Sequence, residues 1–181
     1  MKQLKTKIPE VIVFEPTVYE DSRGYFMETF RCSQFSENGY DISFVQDNQS
    51  RSIKGTLRGL HYQVNYPQGK LVRVLSGEIF DVAVDLRKNS PTFGQWVGEI
   101  LSSKNKKQLW IPAGFAHGFY VLSEEADIFY KCTEYYRQEY DRGLSWDDPD
   151  IGIRWPLLNR HPLISKKDSE ASSFANAELY Q

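Results

Sequence analysis

Short segments in which apolar and polar residues alternate run through most of the chain. In the clearest of them, residues 80–86, apolar side chains at the even positions alternate with Asp81, Ala83 and Asp85. A period of two is typical of a β-strand whose two faces differ. The predicted strands are 11–15, 24–30, 44–50, 56–63, 70–75, 78–86, 96–101, 107–111, 118–122 and 127–132.

Glycine and proline interrupt this pattern at short intervals, which indicates a β-sandwich or barrel built of many short strands. Helix is scarce. One short helix is predicted at 33–38, ended by Gly39, and a second begins at Ser165. Asp168 follows Ser165 by three residues, a pattern that resembles a capping box. No repeat or linker divides the 181 residues, so we expect a single all-β domain over 1–181.

Composition narrows the classes of partner. Aromatic residues make up 14% of the chain, which favours strands. The net charge of −2 offers no basic excess for binding nucleic acid or an anionic membrane surface. No apolar run approaches the roughly 20 residues of a membrane span, nor the shorter core of a signal peptide. We therefore expect a cytoplasmic protein that binds neither nucleic acid nor membrane.

Two of the three histidines lie in motifs with a paired spacing. His61 follows Gly55 by six residues, and some fifty residues later Pro112-x-Gly114-x-x-His117 closes a second motif. This pairing resembles the two motifs of the cupin superfamily of small β-barrels. Metal-binding cupins also carry a second histidine and a glutamate in the first motif.

Both of those metal ligands are replaced in this sequence. Gln63 stands at the second histidine and Lys70 at the glutamate. A protonated lysine has no lone pair to donate, and an amide is a poor ligand for transition metals. The sequence therefore predicts a site without a bound metal.

A pocket that held His61, His117, Lys70 and Arg58 would suit an anionic ligand, or a carbonyl that becomes an enolate. Strict alternation, however, puts Arg58 and His61 on opposite faces of their strand. Both can reach one pocket only if Gly59 permits a bulge or bend.

Eight segments, taken in order, resemble the dTDP-4-dehydrorhamnose 3,5-epimerase family. They are 21–28 (DSRGYFME), 44–48 (FVQDN), 57–63 (LRGLHYQ), 69–74 (GKLVRV), 81–87 (DVAVDLR), 111–119 (IPAGFAHGF), 130–133 (YKCT) and 146–149 (WDDP). The resemblance runs from about residue 11 to residue 168. It implies a cupin-type double-stranded β-helix, or jelly-roll barrel. It also implies cofactor-free inversion of C3 and C5 of dTDP-4-keto-6-deoxy-D-glucose, in dTDP-L-rhamnose biosynthesis.

The resemblance also assigns roles to residues. His61 matches the general base, Asp168 its paired carboxylate, Tyr130 the proton donor, and Lys70 the cation beside the sugar ketone. Positions that hold the nucleotide sugar are matched by Arg23, Phe26, Glu28, Gln46, Asp47, Asn48, Arg58, Gln63, His117, Asp141 and Lys167. Asp141 stands where the family commonly has glutamate. Because Arg23 and Glu28 are expected to reach the neighbouring subunit's pocket, the resemblance implies a homodimer.

The chemistry of these side chains suits that reaction. A ketone at C4 acidifies the hydrogens on C3 and C5, so no redox cofactor is needed. Inversion requires a base on one face, an acid on the other and a positive group at the ketone oxygen. A histidine, with an ordinary pKa of about 6.5, can act as a base near neutral pH.

Three other functions compete with this interpretation. A single-centre 3- or 5-epimerase, or a ketoisomerase, would use the same base on a similar keto sugar. A non-catalytic sugar-binding barrel would keep the arginines but would not need His61, Tyr130 and Asp168 together. A metal-dependent cupin oxygenase is disfavoured by Gln63 and Lys70.

Overall fold

A computed structural model of the chain describes residues 1–37, 39–40 and 42–181, and it confirms the predicted all-β class. The described residues form these strands: β1 Lys2–Lys5, β2 Ile12–Glu15, β3 Val18–Asp21, β4 Gly24–Met27, β5 Gln46–Ile53, β6 Leu57–Gln63, β7 Lys70–Ser76, β8 Glu78–Asp85, β9 Trp96–Ser102, β10 Gln108–Ile111, β11 Phe115–Val121, β12 Glu125–Cys132 and β13 Asp141–Gly143. The helices are α1 Cys32–Ser36 and α2 Lys166–Ser169, with single 3₁₀ turns at Gln138–Tyr140 and Phe174–Asn176. Among these residues, no helix is long and apolar enough to cross a bilayer.

Two antiparallel sheets pack face to face. The six-stranded sheet has the order β1-β2-β10-β7-β12-β5, and the five-stranded sheet has the order β13-β6-β11-β8-β9. Apolar side chains from both inner faces fill the space between them, among them Val72 and Ile128 from one sheet and Ile79, Val97 and Phe119 from the other. Burial of this shared apolar face is the main force that holds the sheets together.

The outer faces of both sheets are partly covered as well. The C-terminal segment lays Ile151 and Trp155 against β8, whose Val82 and Val84 point outward. The alternation predicted for 80–86 is therefore confirmed, but both faces are buried, and Asp81 is 0% exposed. On the other sheet, Phe35 of α1 packs on the outer side chains of β2, β7 and β10.

β3 and β4 form a separate two-stranded hairpin. Its aromatic side chains are unusually exposed: Phe26 is 70% exposed and Tyr19 is 65% exposed. Large exposed aromatic side chains that cluster on one element are typical of a binding surface. Of the predicted strand 24–30, only 24–27 pairs in this hairpin.

Several boundaries differ from the sequence predictions. β11 begins at Phe115, whereas the predicted strand begins at 118. Every side chain of β11 is buried, so no alternation in the sequence marks where the strand starts. β1, β3 and β13 were not predicted, since they are three or four residues long and largely polar. Helix α1 ends at Ser36, and residue 38, the last of the predicted helix, lies outside the described residues. The predicted cap of α2 is confirmed, because Ser165 Oγ accepts from the Asp168 backbone N–H at 3.1 Å.

Candidate active site

A cavity of about 270 Å³ opens at one end of the barrel, between the two sheets. The residues that line it are Gln46, Asn48, His61, Tyr62, Gln63, Gln68, Lys70, Tyr130, Tyr136, Asp141 and Lys167. All of these were predicted as site residues except Tyr62, Gln68 and Tyr136. A tyrosine or glutamine without a motif carries no signal in one sequence, so only the folded geometry identifies these three.

His61 and Asp168 form a short, partly buried polar contact at this site. His61 Nε2 lies 2.5 Å from Asp168 Oδ1, and the carboxylate is 5% exposed. Burial alone would raise the pKa of Asp168. Hydrogen bonds from His61, Ser165 and the Gly59 backbone outweigh it and hold that pKa below its usual range. An ionised Asp168 accepts a hydrogen bond from Nε2–H and leaves the lone pair of Nδ1 available, since no described hydrogen bond reaches that atom.

The bulge expected at Gly59 is confirmed. His117 lies opposite His61, and Phe119 lies opposite Arg58, so β6 has one residue more than β11 between the two pairs. Gly59 has a φ of +109°, and a Cβ there would lie 2.6 Å from the His117 carbonyl oxygen. Only glycine fits this close approach.

The bulge brings Arg58 and His61 to one side of their strand. Both line a second cavity, of about 350 Å³, together with Asp168 and Lys167. The two cavities share His61 and Lys167, so they adjoin. Arg58 is held in place by a 2.9 Å hydrogen bond from its Nε to Ser52 Oγ.

Tyr130 and Lys70 come from the sheet opposite His61. Tyr130 on β12 pairs with Val72 of β7, and Lys70 begins β7 opposite Cys132. Burial raises the pKa of Tyr130, so its hydroxyl keeps its proton at neutral pH. Burial lowers the pKa of Lys70, whose ammonium makes no ion pair with any described residue. When protonated, a lysine without a carboxylate partner in a cavity favours an anionic ligand or a developing negative charge, and either would raise its pKa again.

Asp141 forms hydrogen bonds with two other residues that line the first cavity. Its Oδ2 accepts from the Tyr136 hydroxyl at 2.9 Å and also from Lys167 Nζ. Lys167 precedes Asp168 in α2, so the same short helix supplies both cavities.

The structure places His117 behind the cavities rather than on their surface. It is 7% exposed, and its Nε2 lies 3.0 Å from both carboxylate oxygens of Asp81. Burial lowers the pKa of His117, and it lines neither of the two cavities that hold His61. Its ring therefore contacts Asp81 rather than either cavity.

Asp47 also points away from the cavity. Gln46 and Asn48 line the cavity, and strand alternation turns the residue between them to the opposite face of β5. There Asp47 pairs with Lys131 at 2.7 Å.

The hairpin residues lie apart from both cavities of their own chain. Arg23 pairs with Asp21 at 2.6 Å, Glu28 pairs with Arg31 at 2.6 Å, and Phe26 is exposed. Arg23 and Phe26 line a shallow hollow on the hairpin itself.

The residues at the two positions of the cupin metal ligands do not suit a metal. Lys70 is a cation, and all polar atoms of the Gln63 amide bind backbone groups. In the described part of the chain, no group of three or more His, Cys, Asp or Glu side chains could hold an ion.

The fold and the site together define a small cupin-type barrel whose pocket carries a histidine–carboxylate pair, a tyrosine and an unpaired lysine. The sequence model of the dTDP-4-dehydrorhamnose 3,5-epimerase family matches residues 5–176. The chain belongs to this family. The predictions of a cupin-type fold and of an isomerase of the epimerase class are therefore confirmed.

Individual relatives show how close the similarity is. A dTDP-4-dehydrorhamnose 3,5-epimerase of Pseudomonas aeruginosa is 56% identical over 181 residues, which covers 99% of each chain. The crystal structure of a dTDP-6-deoxy-D-glucose-3,5-epimerase from Legionella pneumophila, in complex with dTDP-4-keto-L-rhamnose, has a TM-score of 0.96 and 52% identity, over 99% of this chain and 97% of that one. A 3'-monoepimerase from Streptomyces bikiniensis, in complex with dTDP-quinovose, has a TM-score of 0.88 and 32% identity, over 94% and 87% of the chains.

Proposed function

We propose that this chain inverts C3 and C5 of dTDP-4-keto-6-deoxy-D-glucose by proton removal and return, and so serves dTDP-L-rhamnose biosynthesis. One observation carries the proposal: His61, which is paired with Asp168, and Tyr130 come from opposing sheets and line one cavity together with Lys70. The Pseudomonas relative is named for this activity. The Legionella relative binds dTDP-4-keto-L-rhamnose, which differs from the proposed substrate by inversion at C3 and C5.

His61 is the base in this mechanism. Asp168 keeps the proton on Nε2, so the lone pair of Nδ1 can take a proton from a carbon next to the ketone, and the electron pair left on that carbon delocalises onto the ketone oxygen. The imidazolium that results is then stabilised by the same buried carboxylate, as in a catalytic triad.

Lys70 stabilises the intermediate. Removal of the proton shifts negative charge onto the C4 oxygen, and an unpaired ammonium already in place can hold that charge as an enolate. Because the cation is fixed before the reaction, no reorganisation is needed when the charge develops.

Tyr130 returns a proton to the other face. Its hydroxyl keeps its proton at neutral pH, and it belongs to the six-stranded sheet, whereas His61 belongs to the five-stranded sheet. A base and an acid on opposite walls are what inversion requires, since a proton returned to the original face restores the substrate.

Basic residues of the chain, together with a second copy of it, bind the nucleoside diphosphate part of the substrate. Arg58 and Lys167 border the cavities, and arginine can bind phosphate oxygens through two parallel hydrogen bonds. The exposed hairpin supports a homodimer in which Arg23, Phe26 and Glu28 complete the partner's pocket, because these side chains do not reach the pocket of their own chain.

A single-centre epimerase is the second candidate. The Streptomyces 3'-monoepimerase has nearly the same fold, so architecture alone does not separate the two activities. The identity of 52–56% to the two 3,5-epimerases, against 32% to the monoepimerase, favours inversion at both carbons.

Incubation of the enzyme with dTDP-4-keto-6-deoxy-D-glucose in D₂O, followed by NMR, tests the proposal. We expect deuterium at both C3 and C5, and an NADPH-linked 4-reductase should convert the product to dTDP-L-rhamnose. Label at one carbon only would contradict double inversion, and no label at all would favour a sugar-binding barrel.

A further inference from the structure

Residues 134–137 carry Tyr136, which lines the first cavity, and three glutamine side chains hold the backbone of this segment. Gln46 Oε1 accepts from the backbone N–H of Tyr136 at 2.9 Å. Gln68 Nε2 donates to the first carbonyl oxygen of this segment at 2.8 Å. Gln63 makes the remaining contacts. A segment held at successive peptide groups has little freedom to move its side chains relative to the cavity.

Gln63 is the central member of this group. Its Nε2 donates to the carbonyl oxygens of Tyr66 at 2.8 Å and of Tyr135 at 3.2 Å, and its Oε1 accepts from the Arg137 backbone N–H at 2.6 Å. The side chain is 3% exposed. Both amide hydrogens and the amide oxygen thus bind backbone, so Gln63 could contact a ligand only by breaking contacts that are costly to lose.

The segment that Gln63 holds carries Tyr136 into the cavity. The Tyr136 hydroxyl donates to Asp141, which also accepts from Lys167. Asp141 lies directly opposite Gln63 in the pairing of β13 with β6. The buried amide of Gln63 therefore holds the backbone on either side of Tyr136, and Gln63 also lies opposite Asp141, the residue that Tyr136 contacts.

We propose that Gln63, which replaces a cupin metal ligand, is a positioning residue that fixes the Tyr136–Asp141–Lys167 wall against which the nucleotide sugar binds. The identity of that ligand rests on the proposed function. No described hydrogen bond joins residues 134–137 to the groups assigned to proton transfer. Loss of the Gln63 contacts should therefore weaken binding and leave the chemical step almost unchanged.

Gln63→Met tests this, since it keeps the length of the side chain and removes all three hydrogen bonds. We expect KM for the keto sugar to rise and affinity for dTDP, measured by calorimetry, to fall by roughly tenfold, with kcat within about twofold of wild type. Hydrogen exchange at the backbone N–H groups of 136 and 137 should accelerate. Asn105→Ala is the matched control, because Asn105 makes three backbone contacts in the turn between β9 and β10, away from the cavity.

Gln63→Glu gives an independent measurement if the methionine variant folds poorly. The carboxylate of this variant can still accept from the Arg137 backbone N–H, but it cannot donate to the carbonyl oxygens of Tyr66 and Tyr135. Protonation of the carboxylate restores one hydrogen-bond donor. The ratio of wild-type to variant dTDP affinity should therefore fall as the pH is lowered from about 8 to about 5.

Three results would overturn the proposal. One is a Gln63→Met protein with a lower Tm but wild-type KM and dTDP affinity, as expected for Asn105→Ala. Another is a fall in kcat at unchanged KM. The third is a constant affinity ratio for Gln63→Glu across the pH range. A wild-type protein that neither binds dTDP nor exchanges the substrate would instead contradict the proposed function, and amide exchange at 136 and 137 would still report whether Gln63 holds the wall.

Discussion

His61 Nε2 and Asp168 Oδ1 lie 2.5 Å apart although 107 positions separate the two residues in the chain. The pairing depends on a helix of only four residues, which Ser165 caps and which turns Asp168 toward β6. The ionised carboxylate decides which ring nitrogen of His61 carries the proton. The free nitrogen is then the one available to a substrate.

Asp168→Asn should disable the base without changing the shape of the site. The asparagine amide can donate to Nε2, which favours the tautomer that carries its proton on Nδ1 and removes the lone pair needed for proton abstraction. We expect the rate of solvent deuterium exchange into the substrate to fall by about 10²–10⁴-fold. Ser165→Ala, which removes the cap but keeps the carboxylate, is the control and should lose far less. Near wild-type exchange by Asp168→Asn would show that the pair is not part of the base.

The same pair predicts a dependence of stability on pH. The pKa of Asp168 is lower in the folded protein than its unfolded value of about 3.9, so its ionised form contributes to stability above that pH. The contribution is lost as the pH falls through the folded pKa. The excess stability of wild type over Asp168→Asn, measured by thermal unfolding, should therefore shrink as the pH falls below about 4. An excess that did not change over this range would contradict the assignment.

Activity should survive exhaustive chelation, because Gln63 and Lys70 stand where metal-binding cupins have ligands. The purified protein should also contain no stoichiometric metal by elemental analysis. Loss of activity on chelation, with recovery on adding one metal back, would disprove this reading of the site.

The alternation of apolar and polar residues predicted the strands that have two different faces, and the hypothesis of one pocket for Arg58 and His61 required the bulge at Gly59. It could not predict short polar strands such as Asp141–Gly143, whose pairing with β6 depends on the rest of the barrel. Alternation places Asn48 and Asp47 on opposite faces of β5, but it does not show which of the two faces lines the cavity. The contact between His117 and Asp81 links residues that lie 36 positions apart in the sequence, and no local pattern of residues predicts it.

Two inactive variants should restore activity when mixed if the hairpin completes the partner's pocket. Arg23→Ala removes the hairpin contribution, and His61→Ala removes the base. A mixed dimer then has one site with His61 from one chain and Arg23 from the other. Random reassortment makes half of the dimers mixed, each with one intact site, so we expect about a quarter of wild-type activity. No recovery, despite mixed dimers confirmed by mass spectrometry, would show that each site is built from one chain.

Tyr130→Phe should separate proton removal from inversion. Phenylalanine keeps the ring that packs against the core, so the fold should persist, but it removes the only tyrosine hydroxyl assigned to the face opposite His61. The enolate should still form beside Lys70, and its proton can then return only from His61, on the original face. We expect solvent deuterium to enter the substrate while inverted product falls by about 10²-fold or more. His61→Ala is the contrast, since without the base neither deuterium exchange nor inversion should occur.

NMR of both variants in D₂O, with exchange and inversion followed in the same sample, decides between three arrangements of the proton carriers. Exchange without inversion in Tyr130→Phe supports an acid and a base on opposing sheets. Inversion at near the wild-type rate would make Tyr130 a core aromatic residue and assign the second proton transfer to another group, such as a bound water. Loss of exchange as complete as in His61→Ala would mean that the hydroxyl is needed to form the enolate, because it then shares with Lys70 the stabilisation of the C4 oxygen.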